Sequence, residues 1–229
     1  MGWPKRLVLV RHGESLGNTM TVDERATCEV STHAYPLTPR GREQARITGD
    51  MLRSRFGAFD VRYTSYYRRA KETMEFLCPG EKYYEDARLA EANRGIFHTM
   101  TREEIERHFP FELKRKEKEG LYHFRPLGGE NWPDIELRIH SFLTTLARDC
   151  DDASVLIVVH GHWLILFQRL VERFAIAEAE RRYREAIVKN ASVTWYESER
   201  ACGRPRLVLK DANLVPWEGS VDDAPGTPA

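Results

Sequence analysis

The chain has 229 residues, 41% of them hydrophobic, and its 35 lysines and arginines are matched by 35 aspartates and glutamates. That length suits one large domain with a full core, and the neutral balance offers no electrostatic footprint for nucleic acid or an anionic membrane surface. No apolar run is long enough to span a bilayer, and the four cysteines, Cys28, Cys78, Cys150 and Cys202, form no C-x-x-C pair that would signal zinc or redox chemistry.

The first apolar run, LVLV (residues 7–10), is too short for a signal-peptide core and leads straight into Arg11 and His12. Met1-Gly2 opens like a myristoylation site, but Arg6 stands where that pattern wants serine or threonine. With no disulfide framework, the expectation is a reduced, cytoplasmic protein, in which the triplet Asn190-Ala191-Ser192 is not a glycosylation site. Residues 7–10 and the run VLIVV (155–159) read as strands buried on both faces, as in a parallel sheet covered by helices. Thr38-Pro39 predicts a helix start, an N-cap followed by proline at the first helical position. The helix runs to about Phe56, with Ala45, Thr48, Met51 and Leu52 on one face. DVRYTS (60–65) predicts a further strand, and residues 66–77 the helix after it. Thr101 and Glu104 form a capping box, and Pro110 should interrupt the helix they open. Pro133 begins the clearest amphipathic helix, carrying Ile135, Ile139, Phe142, Leu143 and Leu146. Residues 161–174 predict another. ASVTWYES and RLVLK alternate as late strands joined by a turn at ACGR. The tail DDAPGTPA has no core-forming residue and is expected to be disordered. Strands alternating with helices predict a single α/β domain over residues 1–218, a mainly parallel sheet flanked on both faces by helices, and a tail over 219–229.

In open α/β sheets, ligands bind beyond the carboxyl ends of the strands. His12 ends the first apolar run and His160 the last, while Arg69 falls in the first turn after the DVRYTS strand, where a helix N-terminus favours an anion. Arginine forks match phosphate oxygens. Two histidines and two arginines thus converge on a phosphate-handling site. Blander readings compete. A lone histidine after a strand is ordinarily packed or capping. His160-x-His162 could be two metal ligands, although no carboxylate or cysteine cluster accompanies it. The run ELKRKEKEG, neutralised by Glu112, Glu117 and Glu119, reads as a solvated helix face. Phe97, Phe109, Phe111, Tyr122 and Phe124 line a pocket or form a satellite core. His33, His98, His108, His123 and His140 have no recognisable partner.

LVLVRHGES with Asn18 resembles the signature of the histidine phosphatase superfamily, the phosphoglycerate-mutase-like enzymes. Further segments resemble that family in family order: YPLTPRGREQA, SYYRRAKET (which aligns Arg69 rather than Arg68), LAEANRG (which aligns Glu91), GGE (128–130), VVHGH and NASVTWYE. The resemblance implies the phosphoglycerate-mutase-like fold and a phosphohistidine mechanism. It makes His12 the nucleophile, kept neutral by Arg11, Arg69 and His160. It makes Arg11, Arg69 and His160, with Asn18 and a backbone N–H near Gly161, the clamp on the phosphoryl oxygens. Glu91 becomes the acid that protonates the leaving alkoxide and then the base that activates water. It implies no metal and no cofactor, because the arginines supply the countercharge. Ser15 and His162 stand as candidate substrate contacts.

The sequence also departs from the family. Where glycolytic mutases carry Glu-Arg-His-Tyr-Gly, this chain has Glu91-Ala92-Asn93-Arg94-Gly95. The segment 95–128 is short beside the mutase insertion, and few further fixed cations are evident to retain a bisphosphate. Hydrolysis of a phosphomonoester is therefore expected over mutase-type transfer, and both over a non-catalytic phospho-ligand-binding domain. His162 stands where the family often has glycine or asparagine, and Tyr66-Tyr67 replaces a small or aliphatic pair. The substrate class stays open between a small phosphorylated metabolite and a phosphoprotein, and the sequence specifies no oligomeric state.

Overall fold

The computed structural model describes residues 2–185, 187–201 and 204–221. Six strands form one sheet in the order β3-β2-β4-β1-β5-β6: β1 (Arg6–Arg11), β2 (Val61–Thr64), β3 (Tyr84–Glu85), β4 (Ser154–Val159), β5 (Val193–Ala201) and β6 (Arg204–Leu214). The first four strands in that order run parallel, and β5 and β6 close one edge antiparallel. The two apolar runs are the paired centre of the sheet. Their alternate residues serve two cores, as the period of two requires. Leu7, Leu9, Val155, Ile157 and Val159 pack with α7 (Trp132–Asp149) and α8 (Gly161–Glu172). Val8, Val10, Leu156 and Val158 pack on the other face against Leu52 of α3 (Pro39–Phe56) and Ala70, Met74 and Leu77 of α4 (Arg68–Leu77). The expected mainly parallel sheet with helices on both faces is the observed one.

Boundaries moved where local chemistry decided them. Tyr67 is the N-cap of α4, so the helix begins at Arg68 rather than at residue 66. Asn131 caps α7 with a reciprocal bond to Asp134, one position earlier than Pro133 suggested. Arg173 adopts a left-handed conformation and stops α8 at Glu172. Pro110 does more than interrupt: α5 (Arg102–His108) ends before it and α6 (Pro110–His123) starts on it. Within α6 most of the charged run is exposed, but Glu112 is fully buried, because its carboxylate is bonded by Arg115 and by the backbone N–H of Leu127. The sequence did not signal α1 (Leu16–Thr19), α2 (Val22–Thr27), β3 or α9 (Ile176–Arg184). Cys202 and Gly203 of the late turn, and the tail from residue 222, lie outside the described residues.

Candidate active site

Parallel register does the first positioning. Arg11 of β1 pairs with Val159 of β4, so the residues that follow, His12 and His160, leave the sheet side by side with ring centroids 5.1 Å apart. Arg69 enters from the first turn of α4 and knits them together. Its Nε donates to His12 Nε2 at 3.1 Å, one Nη to His160 Nδ1 at 3.3 Å, and the other to the Thr32 carbonyl at 2.8 Å. These contacts assign tautomers. His12 Nδ1 lies 2.7 Å from the Gly13 carbonyl, which only accepts, so Nδ1 carries the proton and Nε2 the lone pair. His160 Nδ1 likewise accepts from Arg69, and its Nε2–H donates to Ser65 Oγ at 2.8 Å. Both imidazoles are held well below the usual histidine range, by burial first and then by Arg69. Burial thus does more than neighbouring charge to keep His12 neutral. Arg11 is 4% exposed, donates to the Val188 carbonyl, and is pushed down to about 10 by burial against the opposing pull of Glu91.

A cavity of about 80 Å³ opens in front of these groups, lined by Arg11, His12, Ser15, Asn18, Arg69 and Glu91 among others. Asn18 is pinned rather than free: its Oδ1 accepts from the Ser15 backbone and hydroxyl at 3.0 and 2.9 Å. Asn190, at the head of the last strand pair, donates to the His12 carbonyl at 3.0 Å and approaches Asn18 Oδ1 at 3.5 Å. Glu91 Oε1 accepts from the Ala92 N–H at 2.9 Å. Arg138 of α7 clamps the Glu91 loop by its carbonyls, reaching those of Arg88, Ala90 and Glu91 at 2.9, 2.6 and 3.3 Å. Six of the sequence-predicted residues therefore share one cavity. His160 is completely buried behind Arg69, and Gly161 is the first residue of α8, where a helix N–H has no intrahelical partner. His162 turns away: its ring packs 4.8 Å from Trp132 and 4.7 Å from Tyr183, in a neighbouring cavity. The His160-x-His162 pair thus faces two different environments, which is not the arrangement of two ligands on one ion.

The mouth of the cavity holds what sequence reading missed. Arg25 from α2, with Arg94 and His98 from the loop after Glu91, lines it together with Thr32, Tyr35 and Tyr67. The expectation of few further cations is corrected here. His98, set aside for want of a partner, is pushed down to about 3 by burial and by Arg94, Arg25 and Arg69. No spacing rule predicts this grouping, because short helices and single turns bring the residues together.

Residues 7–211 match the family described as the histidine phosphatase superfamily (branch 1). A phosphoglycerate mutase-like protein of Arabidopsis thaliana, AT74H, is 29% identical over 78% of this chain and 69% of its own length. The fructose-2,6-bisphosphatase of Saccharomyces cerevisiae is 30% identical over 69% of this chain, which spans only 32% of that protein. In fold, the alpha-ribazole phosphatase of Shigella flexneri superposes with a TM-score of 0.70 at 22% identity, covering 92% of this chain and 98% of that one. Family match, fold and the converging arginines and histidines agree: the chain belongs to the histidine phosphatase superfamily.

Proposed function

We propose that the chain, through one catalytic domain over residues 1–218, hydrolyses small phosphomonoesters by way of a phosphohistidine on His12. One observation carries this reading: the lone pair of a buried, neutral His12 Nε2 faces Arg69 inside a cavity that also holds Arg11 and Glu91. As the phosphoryl group arrives, the Arg69 Nε–H passes from His12 Nε2 to a phosphoryl oxygen, and the freed Nε2 lone pair attacks phosphorus while the bond to the ester oxygen breaks. Protonated Glu91 delivers its proton to that oxygen, and the alcohol leaves. Water then loses a proton to Glu91, its oxygen attacks phosphorus, and the phosphorus–nitrogen bond breaks to release phosphate. Arg69, Arg11, Asn18 and the Gly161 N–H hold the three equatorial oxygens. An arriving dianion draws a proton onto His160 Nδ1, turning it from an acceptor for Arg69 into a donor to phosphate. Ser15 acts through Asn18. Relatives named as phosphatases support hydrolysis, and the enclosed site of about 80 Å³ fits a small phosphorylated metabolite. The unpaired thiols of Cys28, Cys78 and Cys150 fit a reducing compartment such as the cytoplasm.

The test is rapid quench with a generic phosphomonoester. Acid-labile phosphate should appear on the wild-type protein and vanish in His12→Ala, whose turnover should fall by several orders of magnitude, with EDTA without effect. A His12→Ala protein that keeps substantial activity refutes the reading. A mutase reading is favoured by one observation, the extra cations Arg25 and Arg94 at the mouth, which could retain a second anion. Isomerisation of phosphoglycerate faster than its hydrolysis would establish it.

A further inference from the structure

The phosphate cavity encloses about 80 Å³, room for a phosphoryl group, and the rest of a substrate extends beyond it. A second cavity of about 210 Å³ lies against it, and Arg94 lines both. The second cavity is walled by Phe97, Leu121, Phe124, Pro126, Trp132 and Tyr183, and is also lined by the Glu130 carboxylate, which Arg138 neutralises at 2.9 Å. Also on its wall is His162, only 5% exposed, with neither ring nitrogen hydrogen-bonded. Unpaired buried polar atoms cost free energy until something pairs with them. Burial, reinforced by Arg94 and Arg138, keeps this imidazole neutral, so it offers one N–H and one lone pair. Two cations stand at the rim. Arg94 donates to the Tyr183 hydroxyl at 2.8 Å, and Lys116 Nζ sits 5.3 Å from the centre of the Phe97 ring.

Each wall selects the same chemistry. Aromatic side chains favour a flat aromatic guest by offset or edge-to-face contact, and rim cations favour a π-face. His162 favours a guest whose edge both donates and accepts. A polyhydroxylated guest would set its hydroxyls against Phe97, Leu121, Phe124 and Pro126, which cannot pair with them. We propose that this cavity receives the alcohol half of the substrate, and that this alcohol carries a heteroaromatic ring with a hydrogen-bonding edge, linked past Arg94 to the phosphoester. The proposal rests on the phosphomonoesterase reading for its phosphate end.

The decisive pair of probes is adenosine 5′-monophosphate and ribose 5-phosphate. They share the ester and the sugar and differ by the ring. The nucleotide should show at least a tenfold higher kcat/KM, carried by KM, which is the scale of one lost stacking partner. Phe97→Ala, or Lys116→Gln at the rim if that variant does not fold, should shrink the ratio several-fold. His162→Phe, which keeps a ring and removes both nitrogens, should do the same. Adenosine itself, binding in calorimetry and binding several-fold more weakly to Phe97→Ala, tests the cavity without turnover. Equal kcat/KM for the two esters overturns the proposal while leaving hydrolysis intact. Hydrolysis of neither ester, with a generic phosphomonoester also left intact and adenosine still bound in a Phe97-dependent way, defeats the hydrolase reading and supports the cavity. No adenosine binding together with no ring preference defeats the cavity.

Discussion

His12 reaches phosphorus only as a neutral imidazole with its lone pair on Nε2, and its neighbours fix both conditions: the Gly13 carbonyl selects the tautomer and burial excludes the proton. Glu91 has the complementary task, and its importance should depend on the leaving group. An alkyl phosphate departs as a strongly basic alkoxide and needs a proton in the transition state, whereas nitrophenolate needs far less. General acid assistance is typically worth ~100- to 10,000-fold. Glu91→Gln should therefore slow single-turnover formation of phosphohistidine by a factor in that range with an alkyl phosphate, and by much less with p-nitrophenyl phosphate. Single turnover isolates this step from the later one in which the same carboxylate activates water. Equal small losses with both substrates would remove Glu91 from the mechanism. The other carboxylates near the phosphate loop are engaged elsewhere: Glu14 with Arg40 at 2.7 Å and Glu130 with Arg138 at 2.9 Å.

Among the elements, the loop after β1 is fitted closely to the N-terminus of α3. Glu14 N–H donates to Gln44 at 2.9 Å, the Thr38 N–H donates to the Glu14 carbonyl at 3.0 Å, and Gly13 N–H donates to Thr73 of α4 at 3.0 Å. Contact is so close that a Cβ on Gly41 would stand 1.9 Å from the Glu14 carbonyl oxygen. Gly41→Ala should push the loop off α3, lowering stability in urea by about 1–3 kcal/mol. It should also slow phosphohistidine formation by ~100-fold, the cost of misplacing a reacting group by about an ångström. An unchanged urea midpoint with unchanged kinetics would show that the loop is not held there. Legibility followed the same division between regular and irregular elements. The strand ends that deliver Arg11, His12 and His160 were readable, because an unbroken apolar run announces a buried strand and its last residue. Arg69 was readable as the first turn of a helix. Arg25, Arg94 and His98 were not, since α2 and the turns after Glu91 have no hydrophobic period, and long-range clamps such as Arg138 set their places. Glu112 looked like one more surface charge because its partners, Arg115 and the Leu127 N–H, lie on opposite sides of a kink at Gly120.

At the scale of the whole molecule, the site imposes a pH limit on the fold. His12, His160 and His162 are held well below their ordinary value of 6.5, and His98 is pushed down to about 3, with burial the leading cause in each. Above pH 6.5 neither the folded nor the unfolded chain binds these protons, so stability is unaffected. Below it the unfolded chain takes them up and the folded chain refuses them, so stability falls as pH falls. The loss grows with each unit that pH falls below 6.5, and all four histidines contribute to it in the same direction. The urea midpoint should therefore be clearly lower at pH 5.5 than at pH 7.5, with the slope unchanged. His12→Asn should recover part of the difference. Saturating inorganic phosphate should raise the midpoint at both pH values, because an anion bound only by the folded state stabilises it. Equal midpoints at the two pH values would mean that these imidazoles are protonated in the folded protein, and a protonated His12 has no lone pair with which to attack phosphorus.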